Sequence, residues 1–267
     1  MKKLLALLLA MTLILSMFAF ASCNKKGNDD EDEEVQESTN SDTVKKLAGQ
    51  TPEELYASVK AKLAEASYFT VDTTQVIEMT YEGDSMTMNQ YVISRRHGNN
   101  EYIKTTNDMS PANNMEVWYV DGMLYAKTSA GKIKAELDKE TFMQQYMGKD
   151  PGESTLLDIP ESWFKGMKFE KDGEKWILKI VISEEKYEEY FANLGIGGDL
   201  VGPLNYYLYF DKDGNLESIK TVCDYAITST GITITAHMES TATVSFEEYV
   251  ITPPADADTY QQGYIPY

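Results

Sequence analysis

The chain of 267 residues carries 43 Asp and Glu against 24 Lys and Arg, a formal net charge of −19 with a pI near 4.5. That balance excludes nucleic acid as a partner, because such binding draws on Lys and Arg to neutralise phosphates, and it disfavours electrostatic docking on anionic lipid. The only cysteines are Cys23 and Cys223, so a disulfide-stapled fold is excluded and stability has to come from an ordinary hydrophobic core.

In chain order, Met1-Lys2-Lys3 is followed by an apolar run from Leu4 to Phe20 and by the small pair Ala21-Ser22. A short basic start, a hydrophobic stretch and small residues before a cut make an export signal. The segment Phe20-Ala21-Ser22-Cys23 resembles the lipobox of bacterial lipoproteins, which implies cleavage before Cys23 and a diacylglyceryl group on its sulfur. An uncleaved membrane helix and an ordinary secretory signal are the competing readings. Residues 1–22 are therefore expected to be a lipoprotein signal peptide, and Cys23 the lipid attachment site. Two acyl chains suffice for stable anchoring. Removing residues 1–22 takes away Lys2 and Lys3 and no acid, so the mature chain is more acidic still.

Residues 23–50 read as an acidic tether. They hold Asp29-Asp30-Glu31-Asp32-Glu33-Glu34 followed by polar residues, with too little apolar surface to offset the entropy of ordering. The folded domain is expected over 51–254. Thr51-Pro52-Glu53-Glu54 is a capping box with proline at the first helical position, and Leu55, Val59, Leu63 and Ala66 follow at helical spacing, predicting a helix over 52–66.

The period then switches from 3.6 to 2. Phe69, Val71, Thr73, Gln75, Ile77, Met79 and Tyr81 share one face of a long strand, which turns at Glu82-Gly83-Asp84 into a second strand near 85–96. Further strands are expected at 101–106, at 116–120 and 123–127 around the hairpin signal Asp121-Gly122, and at 168–171 and 175–182 around Asp172-Gly173. Three more follow at 206–210, 216–227 and 232–246. Helices are expected near 139–147 and from Ser183 to about 193, with a short turn at 160–165. Nine or ten antiparallel strands and three or four helices, with one sheet face solvated and the other packed, make an α+β domain. Residues 255–267, with Tyr260, Tyr264 and Tyr267, are set apart as a C-terminal tail.

The opening helix leading into long meandering strands, the segment from Glu116 to Tyr125 and the closing run Phe246 to Pro254 resemble the LolA/LolB-like superfamily of envelope lipoproteins and carriers, including the LppX/LprG type of Gram-positive lipoproteins. The resemblance implies a strongly curved antiparallel sheet, a half barrel, closed over by helices around an apolar cavity that takes a lipid. With the Cys23 anchor, the expectation is a monomer held on the extracytoplasmic face of the cell membrane, in a Gram-positive bacterium. Phe69, Val71, Ile77, Met79, Trp118 and Val120 are the residues expected to line that cavity or to fill a core. Thirteen methionines, with Met79, Met86, Met88, Met115, Met123 and Met238 in strands, suit an adaptable pocket as well as an imperfect core.

Catalytic and metal signals are weak. Neither His97 nor His237 has a His or Cys neighbour at ligand spacing. Ser183-Glu184-Glu185-Lys186 matches a serine-nucleophile motif without its partner motifs and reads as a helix cap. Asp211-Lys212-Asp213-Gly214-Asn215 places glycine at the wrong position for a calcium loop and reads as a turn. Cys223 reads as a buried thiol. No cofactor and no enzymatic activity are expected. The alternative to lipid binding is an interaction or sensor protein of the envelope that engages a protein partner through its sheet surface or C-terminal tail, and a third reading is an envelope hydrolase with an unfamiliar site.

Overall fold

The structure is a computed structural model, and it describes residues 46–146, 157, 161–186, 198–200, 202, 204–229 and 232–263. Cys23, the signal segment, most of the tether and the later part of the helix begun at Ser183 lie outside the described residues.

Helix α1 (Pro52–Glu65) starts where the capping box places it. The Glu54 amide donates to Thr51 Oγ1 at 3.3 Å and the Thr51 amide donates to Glu54 Oε2 at 2.9 Å, satisfying two otherwise orphaned donors. Its apolar stripe of Leu55, Tyr56, Val59 and Leu63 is buried, each side chain contributing roughly 1.5–3 kcal/mol. The preceding residues are also folded: Leu47 bridges to Gln50 and is buried in the core. The folded unit thus begins before Thr51, because one leucine among the polar residues of that stretch finds a place against the sheet.

Among the described residues thirteen strands follow: β1 (Tyr68–Tyr81), β2 (Asp84–His97), β3 (Asn100–Asn107), β4 (Met115–Val120), β5 (Met123–Thr128), β6 (Gly131–Glu136), β7 (Phe164–Asp172), β8 (Lys175–Ile182), β9 (Gly198–Leu200), β10 (Asn205–Phe210), β11 (Leu216–Ser229), β12 (Ile232–Ser245) and β13 (Gln261–Gln262). They form one open, curved sheet in the order β13-β6-β5-β4-β3-β2-β1-β12-β11-β10-β8-β7, with β9 paired to β11. Every pair is antiparallel except the short β13–β6 pair. The first long strand thus joins the last long one at the centre, and a meander spreads to each side. Strands β1, β2, β11 and β12 each run fourteen residues, and the right-handed twist accumulated over such lengths bends the sheet into the α+β half barrel expected. Tight turns set the register. Glu82 and Gly83 lie at φ of 50° and 90°, and Asp121 and Gly122 at 51° and 83°, the left-handed pair that a two-residue hairpin requires.

One face of the sheet, the inner face, carries two apolar clusters. The larger lies under α1 and joins Phe69, Ile77, Met88, Leu178, Phe210 and Met238 among others. The smaller gathers Ile103, Val117, Tyr119, Leu124 and Ala126 beneath helix α2 (Lys139–Tyr146), whose Phe142 stacks on Tyr119 with ring centroids 4.6 Å apart. Asp138 caps α2 by accepting from the Thr141 amide at 2.8 Å.

On the opposite, outer face the chain from Glu247 onward crosses back over β2 to β6. Ile251, Pro254 and Tyr260 are buried there, Tyr260 sits edge-on to Tyr125 at 5.6 Å, and Gln261–Gln262 pairs with β6. Residues 255–262 are therefore a docked strap and not a free tail. The aromatic anchor Tyr260 and the unpaired edge of β6, a strand too short and lysine-rich to stand out in the sequence, explain the difference. Tyr264 and Tyr267 lie outside the described residues.

Candidate functional site

Period-two geometry sorts the six expected cavity residues into two groups. Phe69, Val71, Ile77 and Met79 share the inner face of β1 and are buried in the larger cluster. The cross-strand register from β1 through β2, β3 and β4 puts Val117 and Tyr119 on that same face, so Trp118 and Val120 lie on the outer one. Trp118 and Val120 share only apolarity with the other four and cannot line the same space. The methionines divide likewise. Met79, Met86, Met88, Met115 and Met238 face inward, whereas Met123, opposite Val120, faces outward.

A row of polar side chains crosses the inner face where β1, β2 and β3 pair. Gln75, Gln90 and Asn107 stand in register across β1, β2 and β3, and all three are buried, together with Ser94, Thr105 and Glu101 farther along the same face. Their hydrogen bonding is thin. The Gln75 amide donates to Met238 Sδ at 3.0 Å and the Asn107 amide to Met88 Sδ at 3.1 Å. A thioether is only a weak acceptor. Asn107 Oδ1 is better used, accepting the backbone amides of Met109 and Ser110 at 3.0 Å each and holding the turn after β3. Thr105 Oγ1 and the Tyr225 hydroxyl, both on the inner face, are buried with no hydrogen-bond partner among the described residues. Burial pushes the Tyr225 phenol well above its usual range.

At the other end of β3, six residues from Asn107, the same face carries an ionic cluster at the start of α2. Glu101, 1% exposed, accepts from Arg96 Nε at 2.8 Å and from Lys139 Nζ at 3.1 Å. One buried acid is matched by two bases. Burial pulls the Lys139 amine below its usual range, with the Glu101 charge opposing that shift. Gln75 was already visible as a polar residue at an apolar-face position of β1. Gln90, Asn107 and Glu101 could have been found by the same parity count once the strand pairing was known.

The remaining candidates are ordinary. Cys223 is buried in the larger cluster, and burial pushes its thiol up to about 12, so it stays protonated and inert. Asp211 Oδ1 accepts from the amides of Asp213 and Asn215 at 2.8 Å, closing a turn in which Gly214 takes φ of 82°. His97 meets Glu248 at 3.1 Å, and His237 meets Asp224 at 2.7 Å on the outer face. Ser183 precedes a helical start at 184–186. Among the described residues no group of three or more His, Cys, Asp or Glu gathers where it could hold a metal ion, and no helix is long and apolar enough to cross a membrane.

No protein-family model and no curated protein matches the chain. Solved structures similar to it include LprF from Mycobacterium bovis, at 12% identity and TM-score 0.28, covering 70% of this chain and 90% of that one. A LolA superfamily protein from Nitrosomonas europaea is similar at 11% identity and TM-score 0.23, covering 77% of this chain and 97% of that one. A DUF1329 family protein from Desulfovibrio piger is similar at 13% identity and TM-score 0.23, covering 73% and 90%. With identities and TM-scores this low, the fold class rests on the sheet's own order and register.

Proposed function

We propose that this chain is a membrane-anchored extracytoplasmic lipoprotein that holds a lipid or other amphiphile against the inner face of its curved sheet, without catalysis. The observation that carries this reading is the buried polar row Gln75-Gln90-Asn107 set among apolar side chains of the inner face, with Ile77, Met88 and Met238 beside it. A core that served packing alone gains nothing from burying carboxamides against thioethers, since an under-bonded amide costs about 1–3 kcal/mol. An amphiphile resolves the conflict: its acyl portion covers apolar side chains while its headgroup supplies the missing hydrogen bonds. The leader and Cys23 support the anchor. The acidity of the chain makes a covalent lipid the reasonable means of attachment.

The test is lipid extraction and native mass spectrometry of the protein purified from membranes, alongside mass analysis of its mature N-terminus. Stoichiometric co-purifying amphiphile and a diacylated Cys23 are the expected results. A ligand-free protein that takes up no amphiphile on reconstitution overturns the binding reading, and a free Met1 or an unmodified Cys23 overturns the anchor.

A partner-binding reading draws support from the strap, where Tyr249 and Val250 are 47% and 61% exposed. In-cell crosslinking from Val250 to a single protein, lost on truncation after Phe246, would favour it.

A further inference from the structure

The outer face holds a partly open pocket whose chemistry is unlike the inner face. A cavity of about 370 Å³ lies between β2–β5 and the strap, bounded by Arg95, Tyr102 and Trp118 below and by the run Tyr249 to Asp256 and by Tyr260 above. That volume falls at the small end of the roughly 300–1,000 Å³ found for ligand sites, so it suits a compact solute and not a lipid.

The charges around it are unequally satisfied. Glu116 is neutralised twice, by Lys127 at 3.1 Å and Lys104 at 3.4 Å, and it also accepts from the Tyr102 hydroxyl at 3.2 Å. Burial works to raise its carboxyl, but these lysines hold it below the usual carboxylate range. Asp256 is paired with Lys132. Arg95 is different. Its guanidinium lies 4.1 Å from the ring centre of Tyr249 and 5.5 Å from that of Tyr102, and its Nε is buried with no hydrogen-bond partner. Among the described residues no carboxylate reaches it, in a chain with 43 acids. Tyr260, 3% exposed, also lines the cavity, and its hydroxyl is a second buried donor without a partner. Two independent unsatisfied donors thus border one cavity walled by aromatic rings.

The geometry points to a binding site here for a small organic anion that sets a carboxylate or phosphate against Arg95 and lays a flat or apolar body against Trp118 and Tyr249, extending toward the Tyr260 hydroxyl across the row Arg95-Tyr102-Trp118-Tyr125. A guanidinium held between two rings is positioned to form paired, charge-assisted hydrogen bonds with such a group. A cation would meet an unpaired positive charge, and a neutral solute would leave that charge unmatched. The site is independent of the lipid reading, since it lies on the other face.

Titration calorimetry on the purified full-length protein tests it, with benzoate and phenyl phosphate as probes and acetate and inorganic phosphate as anions lacking a body. At least one of the two aromatic probes is expected to saturate one site and to bind more tightly than its bodiless counterpart, and the stronger of them identifies the anionic group. Arg95→Gln is expected to weaken that probe at least tenfold. Tyr260→Phe, which keeps the ring, should weaken it severalfold with the melting temperature maintained. Tyr249→Ala alters a half-exposed ring and serves as a second variant free of a folding burden, with a loss of severalfold expected. Absence of saturable binding by both aromatic probes overturns the proposal. So does equal binding of the bodiless anions, or an affinity that Arg95→Gln and Tyr249→Ala both leave unchanged.

Discussion

Gln75→Met separates a residue kept for binding from one kept for stability. Methionine matches glutamine in length and flexibility and removes only the amide. In the protein that amide is buried on the inner face, and its described bond is the 3.0 Å donation to Met238 Sδ. Burying a carboxamide without good partners costs about 1–3 kcal/mol, and a weak N–H···S contact recovers only part of it. The ligand-free Gln75→Met protein should therefore be more stable by about 1 kcal/mol, which raises the melting temperature by roughly 2–4 °C for a domain of this size. If the amide bonds a headgroup, the same change should weaken amphiphile binding by about tenfold, equivalent to roughly 1.4 kcal/mol. The assays are urea unfolding of delipidated protein and native mass spectrometry of lipid retention at matched lipid concentration. A destabilised variant that retains its lipid unchanged would refute the argument, since Gln75 would then be an ordinary member of a packed core.

Phe142→Ala removes a ring that is 0% exposed and stacked on Tyr119. The expected cost is about 3–5 kcal/mol, read as a fall of about 10 °C in melting temperature. Glu101→Gln removes the acid held between Arg96 and Lys139. Breaking a buried pair costs roughly 3–5 kcal/mol, and the lower end is expected by urea unfolding because the Lys139 side chain keeps 28% exposure. His237 is raised above its ordinary value chiefly by its hydrogen bond to Asp224, so its contribution is fully present below the unfolded value near 6.5 and is lost as pH rises through the raised folded value. His237→Gln, at a half-exposed surface pair, should cost about 0.2–1 kcal/mol near pH 5.5 and almost nothing near pH 9, measurable as converging thermal melts.

Local signals in the sequence carried most of the fold. The capping box placed the start of α1, and Glu82-Gly83 and Asp121-Gly122 placed two hairpins, because each depends on residues adjacent in the chain. Alternation located the long strands for the same reason. Three strands give no such local signal. Gly198–Leu200 and Gln261–Gln262 are too short to display a period, and β6 alternates lysine with small or branched residues that resemble a polar loop. Which face each strand turns toward the helices is a different kind of information, since it follows from register across partners distant in sequence. Trp118 illustrates this: nothing within Glu116 to Val120 says whether the odd or the even positions meet α2. Tyr260 illustrates it again, because its burial depends on Tyr125, far back in the chain. The polar row was half legible, with Gln75 visible at an apolar position and its neighbours assembled only by pairing.

The same parity that moved Trp118 to the outer face makes the two candidate sites independent. Gln75 pairs with Gln90 on β2, and Arg95 lies five residues farther along that strand, roughly 16 Å at 3.3 Å per residue. Ser94 and Arg96 point inward on either side of Arg95, so the two sites share one strand while using its opposite faces. Residues so separated, with no common partner, contribute additively to within about 0.5 kcal/mol. The double variant Gln75→Met with Arg95→Gln should therefore show the summed stability change of its parents, together with the lipid loss of one parent and the anion loss of the other. A deviation above about 1 kcal/mol in the unfolding cycle, or restored lipid retention in the double variant, would mean that strain passes through β2 from face to face. The sheet would then couple its two ligands, and bound anion would change lipid affinity by the same factor as bound lipid changes anion affinity.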